Sequence, residues 1–409
     1  MNEMKGAVAA GAALGAFTIL GATAKGQGKG FKVGLIGCGG RGGGALGNHM
    51  AAAKQVGLEN TVVATCDYFK GKAEGTGGKY GVPKEKCFGG PAGYKDFLAT
   101  DVEIVLIATS PNFRPVHYEA AIKAGKHVFM EKPVAVDPPG GRRIIAAGEL
   151  AKTKGLATVA GTQRRHERGY QQRAFRIQAG LEGNIASGCI YWCGGALWLH
   201  RRGEGESDAD YLVRNWVSFT GMSGYHIVEQ HVHNIDVANW FIGHPPATAA
   251  GFGGRARRKT GDQFDFHSVD FDYGGGVHIH SMCRQINGTA GLGGEHFVFN
   301  RTTREEKPDL KVPEFEEVGG AYQQEHADLL RSIVAEKPLN EAQNVAEATL
   351  AAIMGRISTY TGQLIKWDDL VKNEKSDWYG LTCTPTAEDF EKGEVKAPPD
   401  DVVAIPGKA

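Results

Sequence analysis

The tightest constraint on this chain is a glycine cluster set directly behind a short apolar run: Phe31-Lys32-Val33-Gly34-Leu35-Ile36, then Gly37-Cys38-Gly39-Gly40-Arg41-Gly42. The spacing is G-x-G-x-x-G after a strand signal, the context in which each glycine has a mechanical reason. Gly37 permits a tight turn and Gly39 lets backbone approach a pyrophosphate. Gly42 lets the next helix pack close, with its N-terminal amides facing the anion. Gly40 and Arg41 belong to the same loop. With 59 glycines in the chain a chance match is easy, so the second strand matters. Thr61 to Cys66 reads as that strand and ends in Asp67, at the distance expected of an acid that binds a ribose diol. A carboxylate there repels a 2′-phosphate and favours NAD. Lys70 and Lys72 follow and soften the preference, so NADP stays open.

Strand and helix signals then alternate. Val102 to Ala108 reads as a strand ending at Thr109-Ser110-Pro111-Asn112, and Val116 to Ala124 as a helix. Val128 to Met130 is a strand stopped by Glu131-Lys132-Pro133. A helix over Gly140 to Lys154 and a strand over Ala157 to Ala160 follow. This alternation argues a doubly wound parallel sheet over residues 31–161. Groups just past the carboxyl ends of such strands line the ligand crevice. Thr109, Ser110, Asn112, Glu131 and Lys132 are therefore expected at the nucleotide. Taken alone, Lys132 reads as ordinary solvated charge.

A length of 409 residues with 42% hydrophobic residues accommodates two domains with their own cores. Lys plus Arg equals Asp plus Glu at 46 each, so no nucleic-acid partner is implied. Seven cysteines without a C-x-x-C pair form no recognisable zinc or disulfide framework. Residues 1–24 read as an export segment: Lys5, an apolar run from Ala7 to Leu20, and the small-residue site Ala22-Thr23-Ala24. The expectation is an exported, periplasmic protein without a membrane span once processed. A cytoplasmic protein with a frayed N-terminal tail is the alternative.

Residues 162–368 have another texture. Ile185 to Tyr191, Ala247 to Phe252, Phe264 to Tyr273, Val277 to Met282 and Glu295 to Phe299 read as strands of a large, mostly antiparallel open sheet. Helices over Tyr170 to Ala179, Tyr225 to Phe241, Tyr322 to Ala335 and Asn340 to Tyr360 would cover one face. The fold class is thus α/β, a Rossmann-type sheet plus a second α/β domain, with an irregular tail over residues 369–409. On a continuous helix at about 100° per residue, His226, Glu229, His233 and Asp236 share one stripe, while His231 falls on the apolar side as a core histidine. A solvated face explains such a stripe most simply. Metal binding lacks both H-E-x-x-H and H-x-x-E-H order. General acid-base chemistry is the third reading: His233 titrates near neutrality, and Glu229 one turn away would orient its imidazole and raise its pKa.

Together, the glycine loop, Gly125 to Pro133, Gly161-Thr162-Gln163-Arg164-Arg165 and Glu229-x-x-x-His233-x-x-Asp236 resemble, in order, the Gfo/Idh/MocA oxidoreductases, from Phe31 to about Trp367. The resemblance implies a site between a dinucleotide domain and a second domain whose open sheet serves homo-oligomerisation. By position, Lys132 and His233 match the family's catalytic lysine and histidine, with Lys132-Pro133 in the place of a cis peptide. Glu229 stands where many members have aspartate, and Arg165, Tyr170 and Asp236 lie where substrate is contacted. The expected activity is hydride transfer between a sugar, polyol or sugar derivative and a nicotinamide, tightly held in an exported member. A redox-neutral NAD-dependent glycosidase and a non-catalytic dinucleotide-binding protein are the rivals.

Overall fold

The computed structural model describes residues 30–300, 312–314, 317–399, 402–403 and 405. Residues 1–24, read above as an export segment, lie outside the described residues. Among those described, no helix is long and apolar enough to cross a membrane.

Six parallel strands form the first sheet: β1 (Lys32–Ile36), β2 (Thr61–Asp67), β3 (Cys87–Gly89), β4 (Ile104–Ile107), β5 (His127–Met130) and β6 (Thr158–Ala160). Their order is β3-β2-β1-β4-β5-β6, with the reversal between β1 and β4 that opens a crevice at the carboxyl ends. The strands are continuous apolar runs because helices cover both faces. On one side Ala45 and Leu46 of the helix Gly40–Gln55 share a core with Val33 and Leu35, and on the other Phe97, Tyr118 and Ile144 pack against Val105 and Ile107. The helix Pro138–Thr153 starts where Asp137 accepts from the Gly140 N–H and proline occupies the first turn. The three-residue strand β3 had no sequence signal.

The second sheet has six strands: β7 (Ile185–Gly194), β8 (Thr248–Gly254), β9 (Phe266–Asp272), β10 (His278–Gln285), β11 (Leu292–Phe299) and β12 (Ile365–Lys366), in the order β11-β7-β10-β9-β8-β12. It is antiparallel except at its centre, where β10 runs parallel to β7. Val269, Phe271, Ile279 and Cys283 face the helices Val232–Ile242 and Ala342–Thr361 in one core. The opposite face shows Phe252 and Val298 to the exterior.

Two later helices join the halves. The helix Ala321–Val334 places Ala327, Leu329 and Leu330 in the core of the first sheet. The helix Ala342–Thr361 is buried on nearly every side, because it lies between Pro138–Thr153 and the second sheet. At Gly141 a β-carbon would come within 2.6 Å of Leu350, so this crossing needs glycine. The tail is more ordered than an irregular wrap. It forms the helices Trp367–Val371 and Ala387–Lys392 and returns to the nucleotide domain. There Cys383 N–H donates to Asp137 at 2.9 Å and Phe390 packs on Phe113 and Tyr68.

Candidate active site

Gly37 has φ +98°, where a side chain is strained, and a β-carbon on Gly42 would lie 1.8 Å from the Gly37 carbonyl oxygen. Gly39 and Gly40 face open space within 4 Å of where their β-carbons would stand. The loop is thus tight where helix meets strand and open in front of the helix N-terminus, the shape a pyrophosphate needs. Asp67 at the end of β2 accepts from the N–H groups of Cys38 (2.7 Å) and Phe69 (2.9 Å), which aim its carboxylate beside the loop. These residues fit a nicotinamide dinucleotide.

The β4 and β5 exits are tied together by Arg114, whose buried guanidinium donates to the Pro133 carbonyl and, at 2.6 Å, to that of Thr109. Thr109 Oγ1 meets His117 Nδ1 at 3.3 Å, and Ser110 donates to Asn112 Oδ1 at 3.0 Å. Asn112 is buried and its amide donates to Met222 Sδ. It therefore braces this turn with both ends of its side chain. Glu131 is buried and paired with Arg41, which also reaches Glu325 at 3.4 Å. Gly161 makes room for that carboxylate, since a β-carbon there would stand 2.5 Å from Glu131 Oε2.

Lys132, followed by a cis bond to Pro133, extends its ammonium to the backbone carbonyl of Glu229 at 2.5 Å and to Glu229 Oε1 at 3.3 Å. This contact accounts for a correction to the helix expected over Tyr225 to Phe241. The chain forms one short turn, His226–Glu229, and restarts as Val232–Ile242. At the break His233 N–H bonds to Gln230, leaving the Glu229 carbonyl to Lys132. Tyr225 sets the entry to this turn at φ 77°, ψ 168°, a backbone region that costs a non-glycine residue about 1–3 kcal/mol and recurs at functional sites.

The break also redistributes the expected polar stripe. Glu229 serves Lys132 and does not orient His233. His226 bonds through Nε2 to the Trp192 carbonyl at 3.0 Å, and His231 to Ser281 at 2.7 Å. His233 stacks on Trp192 at 5.7 Å between ring centroids, and its Nδ1 has no protein partner. Its pKa is pushed well below the ordinary histidine value, first by burial and then by the positive charges of Lys132, Arg164 and Arg41. The imidazole is therefore a neutral base, opposite to the raised pKa expected of it. Glu229 Oε2 is likewise buried without a protein partner. Lys132 and Glu229 thus form a pair whose positive charge reaches the His233 imidazole, and both Glu229 Oε2 and His233 Nδ1 are left without a protein partner.

The other three expected substrate residues are engaged within the protein. Arg165 makes a bidentate pair with Asp236, at 2.8–3.0 Å over three contacts. Tyr170 donates to Glu295 at 2.9 Å. Glu295 on β11 also takes Arg164 and, at 2.6 Å, the Asn234 amide. Trp192, Arg164, Glu295 and Arg114 escaped the sequence reading. Arg164 stood beside Arg165 in a motif already singled out, and the rest depend on strands and loops distant in sequence.

Residues 31–160 match the family described as the oxidoreductase family with an NAD-binding Rossmann fold, GFO_IDH_MocA. That match takes in the first sheet and less than half of the chain. Similar curated proteins include inositol 2-dehydrogenase of Burkholderia cenocepacia (strain HI2424), 31% identical over 220 residues, or 54% of this chain and 56% of that one. The inositol 2-dehydrogenase of Salmonella typhimurium (strain LT2) is 31% identical over 182 residues, 44% of this chain and 46% of the relative. The chain thus matches about half the length of these relatives. In solved structures a likeness in fold extends over more of the chain. Levoglucosan dehydrogenase in complex with NADH and levoglucosan aligns over 83% of this chain and 99% of its own, with TM-score 0.63 and 15% identity. The WlbA dehydrogenase from Bordetella pertussis, in complex with NADH and UDP-GlcNAcA, aligns over 83% and 98%, with TM-score 0.63 and 18% identity. At these identities the likeness concerns the fold.

Proposed function

We propose that this protein is an NAD-linked oxidoreductase that acts on a CH–OH group of a sugar, polyol or sugar derivative. The observation that carries the reading is the Lys132–Glu229 pair just beyond β5, whose ammonium lies close enough to His233 to lower its pKa, at the carboxyl edge of a sheet whose glycine loop fits a dinucleotide. The nicotinamide, when bound, supplies the hydride acceptor. Lys132 polarises the reacting oxygen and holds it in place, and Glu229 keeps the ammonium directed there. His233, neutral because it is buried among cations, takes the hydroxyl proton. Asp67 beside the loop favours NAD over NADP. A Lys132 and His233 pair speaks for an enzyme over a non-catalytic binding protein. The reading extends to export through residues 1–24, with tight retention of the cofactor, and to self-association through the open face that carries Phe252 and Val298.

Native mass spectrometry of the nucleotide released from purified protein, followed by a sugar and polyol screen at the reduced-nicotinamide absorbance, tests this directly. Bound NAD and substrate-dependent reduction are expected. A protein that binds no dinucleotide contradicts the reading.

A further inference from the structure

Past the catalytic imidazole the second sheet opens into a cavity that the reaction at Lys132 does not use. Trp192 lies on β7 against His233, and two residues on Gly194 pairs with Gln285 at the end of β10. A strand advances about 3.3 Å per residue, so this point lies about 7 Å beyond Trp192 along the strand. A cavity of about 300 Å³ opens there, walled by Trp198 after β7, by Arg257, Arg258 and Lys259 between β8 and β9, and by Asn287 after β10.

Its electrostatics are one-sided. The lining acid, Asp265, is already occupied: Oδ2 accepts from the N–H groups of Ala256 (2.6 Å), Arg257 (2.6 Å) and Arg258 (3.0 Å), and Oδ1 faces Arg258 at 3.5 Å. Arg258 also donates to Gln285 at 2.9 Å. The Arg257 guanidinium donates to a neutral carbonyl, that of Asn287. Among the described residues neither the Arg257 guanidinium nor the Lys259 ammonium forms an ion pair with a carboxylate, so two positive side-chain charges line the cavity without a counter-charge of their own. Trp198 is 44% exposed, a large share for an indole, with one edge on Trp216 at 5.8 Å and its Nε1 donating to the Arg214 carbonyl. A held, open indole is a platform for the C–H face of a sugar ring, and two free cations select a negative substituent.

We propose that this cavity is a second subsite, which holds an anionic group, phosphate or carboxylate, on the part of the saccharide next to the reacting carbon. The proposal rests on the sugar oxidoreductase reading and narrows its substrates to acidic or phosphorylated saccharides. Arg257 and Lys259 bind the charge and Trp198 carries the ring.

Calorimetric titration of the NAD-loaded protein with glucose 1-phosphate, glucuronate and neutral methyl glucoside tests it, on wild type and on the double variant Arg257→Ala, Lys259→Ala. Both substituted side chains are exposed and lie outside the catalytic group. The expected result is at least about tenfold tighter binding of an anionic sugar than of the neutral one, weakened by salt and lost in the double variant. Whichever anion is preferred, phosphate or carboxylate, identifies the ligand's chemistry. Equal binding of neutral and anionic sugars, or a preference that survives in the double variant, overturns the subsite. Failure of every saccharide to reduce NAD, with anion binding intact and lost in the double variant, overturns the oxidoreductase reading and leaves the anion subsite standing.

Discussion

Two ion pairs lie where the domains meet, and both draw one partner from the stretch Glu229 to Asp236. Lys132 and Glu229 are joined at 3.3 Å through one carboxylate oxygen, and the other oxygen is buried without a protein partner. Arg165 and Asp236 are joined through two nitrogens and both oxygens, with Asp236 1% exposed. The first pair leaves hydrogen-bonding capacity for a ligand, while the second uses its own up. Two acidic residues of one motif thus separate into one with capacity left for a ligand and a strut that anchors the helix carrying His233.

The largest effect expected from breaking this contrast is on turnover. Lys132→Ala and His233→Ala should each lower kcat by about 10²–10⁴-fold while the dinucleotide stays bound. Asp236→Ala should do the reverse in kind: it strands the buried Arg165 charge and should cost about 3–5 kcal/mol of stability in a denaturant titration. Arg165→Lys sharpens the point, because a point charge cannot replace the bidentate fork; a loss of about 1–3 kcal/mol is expected at unchanged dinucleotide affinity.

Proton linkage separates the two regions as well. Burial lowers His49 and His226 to about 4 and His117 and His231 to about 3. Below about pH 6.5 the unfolded chain binds protons that the folded chain does not, so stability should fall as pH falls, by up to about 1.4 kcal/mol per pH unit for each histidine. His166 acts in the opposite sense. Burial opposes its charge, yet Glu341 and Asp328 raise its pKa well above the ordinary value, so its contribution is present below about pH 6.5 and lost as pH rises through the folded pKa. Thermal melts across pH 4–8, with and without His166→Gln, resolve the two signs. The smallest effect is on the rate profile: the acid limb of kcat/KM should lie below the ordinary histidine value, because His233 is held neutral.

The nucleotide domain was legible because its rules are local. Apolar runs alternate with helical ones, and Gly37 and Gly42 stand where sterics allow nothing else. The position of Lys132 just past β5 was legible too, though its place alone reads as solvated charge and only the resemblance points to chemistry there. The second sheet yielded five of its six strands, all but the two-residue β12, and not the parallel pairing of β7 with β10, which joins segments far apart in sequence. The helix break after Glu229 had no local signal either, since the apolar period runs on through it. Its partner, the Lys132 ammonium, comes from another domain. For the same reason Asp236 looked like part of a reactive stripe until Arg165 was found on it, and Glu229 like a partner of His233 until Lys132 was.

One measurement tests the central claim most directly: rapid mixing of NAD-loaded wild type and Lys132→Ala with a substrate from the saccharide screen, followed at the reduced-nicotinamide absorbance, with bound nucleotide quantified in both. Rapid reduction in the wild type and a loss of at least about 10²-fold in the variant, at equal nucleotide occupancy, is the expected result. Equal rates of reduction in the two proteins would contradict the place given to Lys132.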